Sequence, residues 1–270
     1  MCLCALCAFC FDFFLRGLHF RKDFLKLMSL RFFSNVPWLA LSATLTPVKI
    51  HHVGKVLGFR NVKTISKSIN RPNIFLDIRK KLPNTNLLKC ISSVVDPILD
   101  ELESLQHNFP VSLVFMPHSW MDYAVSEAEI RFGYAQVPNV IWSIYTSNID
   151  GSIKKFVTDQ LGREVPSLRL IFTSTALSMG VNSPCITRVI HCTPPRNLTD
   201  FVQEFGRCGR KEQPSESIMY YNNNDLGRQN MDEDIIEYCR SKSCLRKLLL
   251  KSFGFETEDA IFFERCCCNC

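Results

Sequence analysis

The sequence predicts an α/β fold built on a parallel sheet, and its hydrophobic pattern and its length both support this prediction. From Val36 onward, short apolar runs rich in β-branched residues alternate with longer stretches of helical period, which is typical of a parallel sheet covered by helices. The 270 residues are 46% hydrophobic, enough to bury a sizeable core in one or two domains. The candidate strands are Trp38–Leu41, Ser112–Met116, Val140–Ile144, Arg169–Thr173, Arg188–Cys192 and Ser217–Tyr221.

Two breaks in this alternation predict three segments. Asn70-Arg71-Pro72-Asn73 combines a proline with turn-forming residues, and we place a hinge there, between a partial first lobe (1–70) and a complete second lobe (71–224). Near Asp225 the strand alternation stops, and two helical stretches, Asp232–Cys239 and Cys244–Phe253, follow within a small helical segment (225–270).

Apolar residues from Ile91 to Leu105 recur at helical spacing and predict a helix before Ser112–Met116, the first predicted strand of the second lobe. Asp100-Glu101 therefore lies in the middle of this helix. We do not expect these two residues to form a carboxylate pair at the end of a strand.

Charge and cysteine content narrow the class of protein. The formal net charge of +6 permits a polyanionic partner such as nucleic acid without requiring one. Fourteen cysteines crowd the two ends of the chain, and the stretch between Cys10 and Cys185 holds only Cys90. This distribution favours reduced thiols with a metal site in an intracellular protein over a secreted disulfide framework. The apolar opening, Met1–Leu15, lacks a basic start and is too short to span a bilayer, so we expect neither a signal peptide nor an anchor.

The most specific motif is Gln203-Glu204-Phe205-Gly206-Arg207-Cys208-Gly209-Arg210, at the end of a predicted helix. Its two arginines lie three residues apart, where planar guanidinium groups can grip phosphate oxygens, and its glycines let the backbone approach a ligand. Alone, the pattern also fits a solvated basic loop.

Two hydroxyl-rich segments each follow a predicted strand, Leu41-Ser42-Ala43-Thr44-Leu45-Thr46-Pro47 and Thr173-Ser174-Thr175-Ala176-Leu177-Ser178-Met179-Gly180-Val181-Asn182. In open α/β sheets, ligands bind at the carboxyl ends of the strands. Ordinary strand-to-helix turns and helix caps explain any single hydroxyl equally well.

Taken in order, these motifs resemble those of the RecQ family of superfamily 2 helicases, over roughly His19 to Cys270. Phe20-Arg21-Lys22-Asp23-Phe24 resembles the stretch after the family's Mg-binding carboxylate motif. The resemblance implies two RecA-like lobes that clamp ATP and Mg²⁺ and move 3′ to 5′ along single-stranded DNA.

The resemblance also implies residue roles. Arg210 would be an arginine finger, with Arg207 and Gln203 supporting the phosphate. Ser42, Thr44 and Asn182 would couple hydrolysis to strand movement. The DNA contacts would come from Thr175, Ser178, Met179 and Arg71.

The terminal cysteines resemble the family's zinc site. Cys244 opens a helix that resembles the one carrying the first ligand, and Cys267 and Cys270 form a C-x-x-C turn suited to tetrahedral zinc. Cys266 is the expected fourth ligand, with Cys268 as the competing choice. A cluster of free thiols and a prenylated C-terminus are the two alternatives.

The chain departs from the family in several places. It contains no G-x-x-x-x-G-K-[ST] loop and no D-E-x-H strand, and the cysteine-rich opening, with Asp12 as its carboxylate, stands where the latter is expected. This pattern favours a truncated or mispredicted product over a specialised protein. Asn182 replaces the family's usual aspartate, and Cys208 its usual alanine.

Two functional hypotheses follow from these residues. In the first, the chain is part of an ATP-dependent DNA helicase (a hydrolase and isomerase) that acts on single-stranded and forked DNA in replication, recombination and repair. In the second, it is a zinc-stapled nucleic-acid-binding or regulatory module that does not turn over ATP. The resemblance implies the nucleus if the source is eukaryotic, and no membrane partner is expected.

Overall fold

The computed structural model describes residues 4–7, 29, 38–134, 140–174, 183–256 and 266–270. Its internal contacts divide the chain into two compact units. One comprises Met1–Ile69 with Leu250–Thr257, and the other comprises Asn70–Leu249 with Glu258–Cys270.

The smaller unit holds a two-stranded sheet and a helix. Strand β1 (Cys4–Cys7) pairs in parallel with β2 (Trp38–Leu41), and helix α1 (Pro47–Val56) follows. The Thr46 hydroxyl accepts a hydrogen bond from the Lys49 amide at 3.5 Å and so caps α1. The sequence suggested that hydroxyls in the segment after β2 cap the next helix, and Thr46 does so.

The larger unit is built on a six-stranded sheet in which every pair of neighbours is parallel. The strand order is β3-β8-β7-β4-β6-β5. The strands are β3 (Ile74–Lys80), β4 (Ser112–Phe115), β5 (Trp142–Tyr145), β6 (Leu170–Thr173), β7 (Arg188–His191) and β8 (Ser215–Tyr221). This parallel α/β architecture confirms the predicted fold class.

The helices that lie between strands of this sheet are α2 (Leu87–Leu105), α3 (His118–Phe132), α4 (Gly151–Leu161) and α5 (Leu198–Phe205), with a short 3-10 turn at Gln106–Asn108. Helices α6 (Asn223–Leu226), α7 (Glu233–Arg240) and α8 (Leu245–Ser252) follow β8. Helix α2 buries the predicted face from Ile91 to Leu102, while Leu105 at its end is exposed. Asp100 and Glu101 lie within α2, as expected.

Strand β3 was not among the predicted strands, and its position explains why. It lies at the edge of the sheet and pairs only with β8 among the six strands. Ile74 and Leu76 are buried, but its second half, Asp77–Lys80, is partly exposed and holds three charged residues beside Ile78. The continuous apolar run is therefore limited to Ile74–Leu76, which is too short to indicate a strand by itself.

None of the helices in the described part of the chain combines the length and hydropathy that a membrane crossing requires.

Candidate functional site

The arginine motif lies in a turn that starts where α5 ends. The Asn197 side chain caps the helix by accepting from the Asp200 amide at 2.8 Å, and the helix stops at Phe205. At Gly206, an added Cβ would lie 2.7 Å from the Val202 carbonyl oxygen. Gly209 has a φ of +64°, in the left-handed region that favours glycine. We call residues Arg207–Gln213 the arginine turn.

This arginine turn lies at the amino-terminal edge of the sheet. The Gly209 amide donates to the Ile186 carbonyl at 3.0 Å, just before β7, and β8 begins at Ser215. In the hydroxyl-rich segment, Thr173 ends β6 and Ser174 follows at the carboxyl end of that strand. The arginine turn and Ser174 therefore lie at opposite edges of the parallel sheet.

The two arginines occupy different environments. Arg207 is buried, and desolvation, together with repulsion from Arg210, lowers its pKa to about 10 although the Glu204 carboxylate opposes the shift. Arg210 is exposed, and burial of part of its side chain, with repulsion from Arg71, lowers its pKa as well. The turn therefore places one arginine in the interior and a second at the surface, where it can reach an anion.

The Asn70–Asn73 segment braces the arginine turn. Arg71 Nη2 donates to the carbonyl oxygens of Cys208 at 3.2 Å and Gly209 at 2.5 Å. Asn73 Nδ2 donates to the carbonyl oxygens of Gly209 at 2.9 Å and Gln213 at 3.0 Å. Arg71, expected from the resemblance to bind DNA, thus uses part of its guanidinium inside the protein.

The four cysteines expected to bind zinc converge in the larger unit. The sulfur atoms of Cys244, Cys266, Cys267 and Cys270 all lie within 4.8 Å of one another. Individual separations are 3.5 Å between Cys244 and Cys266, and 3.4 Å from Cys270 to both Cys266 and Cys267. We call these four residues the cysteine cluster.

Backbone pairing with β3 positions the cysteine cluster. The Leu76 amide donates to the Cys266 carbonyl at 3.3 Å, and the Cys268 amide donates to the Leu76 carbonyl at 2.9 Å. The C-terminal segment thereby covers the outer edge of β3. Cys268 is exposed and its sulfur contacts Asn269 Oδ1, so Cys266 rather than Cys268 joins the cluster.

These sulfur separations fit a tetrahedral metal site. Four thiolates with Zn–S bonds of about 2.3 Å have sulfur–sulfur edges of about 3.8 Å. Burial raises the pKa of Cys244, but hydrogen bonds from the Lys247 and Arg246 amides at the start of α8, and from Cys270 and Cys266, lower it below its usual value overall. A lowered thiol pKa favours the thiolate that ligates metal.

Comparisons with known proteins identify the family. The family model for the helicase conserved C-terminal domain matches residues 112–212. Over 94% of this chain, the ATP-dependent DNA helicase Q-like 2 of Arabidopsis thaliana is 27% identical, and the ATP-dependent DNA helicase Q1 of Pongo abelii is 24% identical. Together these matches support a RecQ-family helicase of superfamily 2 over most of the chain. The chain spans 36% and 39% of the lengths of those two relatives.

The solved structures agree on the fold of this RecQ-like chain. S. cerevisiae Dbp5 L327V bound to RNA and ADP BeF3 superimposes with a TM-score of 0.59 at 16% sequence identity, over 89% of this chain and 59% of that one. The likeness supports the RecA-like helicase lobe.

The sequence-based reasoning missed a buried pair behind the arginine turn of this RecQ-like chain. His191 Nε2 lies 3.0 Å from Glu204 Oε2, and both side chains are almost fully buried. The imidazole stacks on Phe115 with 5.1 Å between ring centroids and meets the edge of Phe201. The sequence signal for this pair was a histidine at the end of an apolar strand, followed by a helix with a glutamate on its buried face.

Two of the other predicted site residues lie in the smaller unit. Ser42 is exposed and Thr44 is buried in the smaller unit, where the Thr44 amide donates to Ser42 Oγ at 3.4 Å. Gln203 is partly buried on α5. Thr175, Ser178, Met179 and Asn182, together with the Phe20–Phe24 stretch, lie outside the described residues.

Proposed function

We propose that this chain supplies the arginine-bearing lobe of an ATP-dependent 3′ to 5′ DNA helicase. The supporting observation is the arginine turn, in which Arg71 and Asn73 hold the backbone at Gly209 while Arg210 is exposed beside buried Arg207. A rigid turn that presents a guanidinium pre-organises it for developing phosphate charge. The helicase would act on single-stranded and forked DNA in nuclear replication, recombination and repair.

In this proposal Arg210 is the arginine finger and contacts the γ-phosphate of ATP. Arg207 and Gln203 support the phosphate from behind. Ser42, Thr44 and Asn182 couple hydrolysis to movement. Arginine fingers in related phosphoryl-transfer sites contribute on the order of 10³ to 10⁵ in rate.

For DNA, we propose that Thr175, Ser178 and Met179 contact the backbone of a single strand independently of its sequence. Arg71 was expected to join them. Because Arg71 Nη2 already donates to two carbonyl oxygens of the arginine turn, we now propose that it acts chiefly by holding that turn.

For the metal, we propose that Cys244, Cys266, Cys267 and Cys270 hold one Zn²⁺ ion. Zinc with four thiolate ligands supplies a structural cross-link and has no open position for a reactant. The cross-link would tie the start of α8 to the C-terminal segment, 22 residues away. The family's ATP and Mg²⁺ would meet the lobe at Arg210.

The experiment that tests the helicase proposal exchanges the equivalent lobe of an active RecQ-like helicase for residues 71–270 of this chain. ATP hydrolysis is measured with saturating single-stranded DNA. Arg210→Ala is expected to reduce the rate by about 10³-fold without weakening DNA binding. Lys211→Ala is the matched control, because Lys211 is the exposed neighbour and pairs only at the surface with Glu164, at 2.5 Å. Equal rates for the two variants would refute the assignment.

The second candidate is a zinc-stapled nucleic-acid-binding or regulatory module. The absence of a G-x-x-x-x-G-K-[ST] loop from the 270 residues favours it for this chain alone. The purified chain is then expected to bind single-stranded DNA without hydrolysing ATP. Hydrolysis that disappears in Arg210→Ala would reject this candidate.

A further inference from the structure

Arg246, on α8, is a buried cation whose hydrogen-bond acceptors are all neutral among the described residues. Its Nη1 atom donates to Asn70 Oδ1 at 3.1 Å and to the Arg71 carbonyl at 2.9 Å. Its Nη2 atom donates to the Ile74 carbonyl and, at 3.4 Å, to the Cys266 carbonyl. The residue is 2% exposed. A buried guanidinium without an anion nearby is costly, so its environment requires an explanation.

The cysteine cluster offers the missing negative charge. The Arg246 amide hydrogen-bonds to the Cys244 sulfur, and its Nη2 donates to the Cys266 carbonyl, so the residue contacts two of the four proposed ligands. Four thiolates around Zn²⁺ carry a net charge of about −2. Metal loading would therefore provide the counter-charge for Arg246, and metal loss would remove the fixed site that supplies it.

Arg246 is also the first link of a continuous path to the arginine turn. It donates to the Asn70 side chain and to the Arg71 carbonyl oxygen. The Arg71 side chain in turn holds the carbonyl oxygens of Cys208 and Gly209. Arg210 follows directly. Only two side chains, Arg246 and Arg71, thus separate the cysteine cluster from the proposed arginine finger.

We propose that Arg246 is a positioning residue that couples the metal state of the cysteine cluster to the order of the arginine turn. This inference rests on the proposed zinc binding. With zinc bound, Arg246 is neutralised and holds the Asn70 side chain and the Arg71 carbonyl, and Arg71 fixes the turn. Without zinc, Arg246 is an uncompensated buried charge, and the brace on the turn weakens.

The test is hydrogen–deuterium exchange by mass spectrometry on the full chain, zinc-loaded and zinc-stripped. The reporters are the Gly209 and Glu212 amides, which donate to the Ile186 and Gly209 carbonyls. Zinc removal is expected to speed their exchange about tenfold or more, while amides between β4 and β7 stay protected. In zinc-loaded Arg246→Met, the turn should already exchange quickly, and zinc removal should add little.

Two further variants separate coupling from a general loss of packing. Arg246→Lys keeps the charge without the planar fork, and is expected to restore part of the zinc-dependent protection. Lys247→Met alters the exposed neighbour on the same helix, and should behave as wild type.

The outcomes distinguish the two claims. If the zinc-loaded Arg246→Met variant protects the turn as well as wild type, or if zinc removal speeds exchange equally throughout the sheet, the coupling is overturned. Wild-type protein that purifies and reconstitutes without zinc would overturn the zinc proposal itself.

Discussion

Replacing Gly209 with alanine should destabilise the larger unit through the arginine turn. The added Cβ would lie 2.3 Å from Asn73 Nδ2 and 3.0 Å from Ser215 Oγ. Asn73 cannot retreat without losing its hydrogen bonds to the Gly209 and Gln213 carbonyl oxygens. The substitution therefore strains the backbone and loosens the brace together.

The cost can be worked from these two effects. An alanine held at a φ of +64° loses about 1–2 kcal/mol. Forcing a methyl group into a filled site costs about 1–3 kcal/mol more. We expect the free energy of unfolding to fall by about 3 kcal/mol, within the range that these two terms span.

Urea unfolding followed by tryptophan fluorescence measures this loss, because Trp120 and Trp142 are buried in the larger unit. Gly151→Ala is the matched control: Gly151 opens α4, and a Cβ there meets nothing within 4 Å. It should be neutral or stabilising by about 0.5–1 kcal/mol. Equal unfolding midpoints for Gly209→Ala and Gly151→Ala would refute the reasoning.

Two other predictions use the same unfolding assay. Lys81→Met should lower the free energy of unfolding by about 3–5 kcal/mol, because it leaves the buried Asp225 carboxylate without its partner at 3.0 Å. Adding Asp225→Asn should recover part of this loss. Equal stability of the single and double variants would contradict the prediction. Burial raises the pKa of the Cys192, Cys208 and Cys239 thiols from 9.0 to about 12. Their unfolded forms therefore ionise first, so the contribution of these thiols to stability should be constant below pH 9 and fall between pH 9 and 12. Cys208→Ala should reduce the loss at pH 10 by about 1.4 kcal/mol, and an unchanged loss would contradict the assignment.

The sequence predicted an element best where the hydrophobic pattern lies within that single element. Helix α2 was readable because its buried residues recur on one face over 19 residues. Strands β4, β6 and β7 were readable because they lie inside the sheet and consist mainly of apolar residues. Strand β3 was not, since an edge strand with a polar second half has no comparable pattern.

Less of the candidate site than of the fold could be predicted, because its contacts join residues that are far apart in the sequence. The turn residues Asn70–Asn73 indicated a hinge, but nothing local shows that Arg71 would bond to Gly209, 138 positions away. Arg246 is likewise one of several basic residues near the C-terminus, and only its burial and its partners set it apart. The cysteine ligand set came from family resemblance. The choice between Cys266 and Cys268 depended on strand pairing with Leu76.

The most direct test of the account is the zinc content of the purified chain, measured by elemental analysis per mole of protein. We predict one zinc ion in wild type, none in Cys244→Ser, and one in Cys268→Ser, because Cys268 lies outside the cysteine cluster. A wild-type chain without zinc, or a Cys268→Ser variant that loses the metal, would contradict the proposed zinc site.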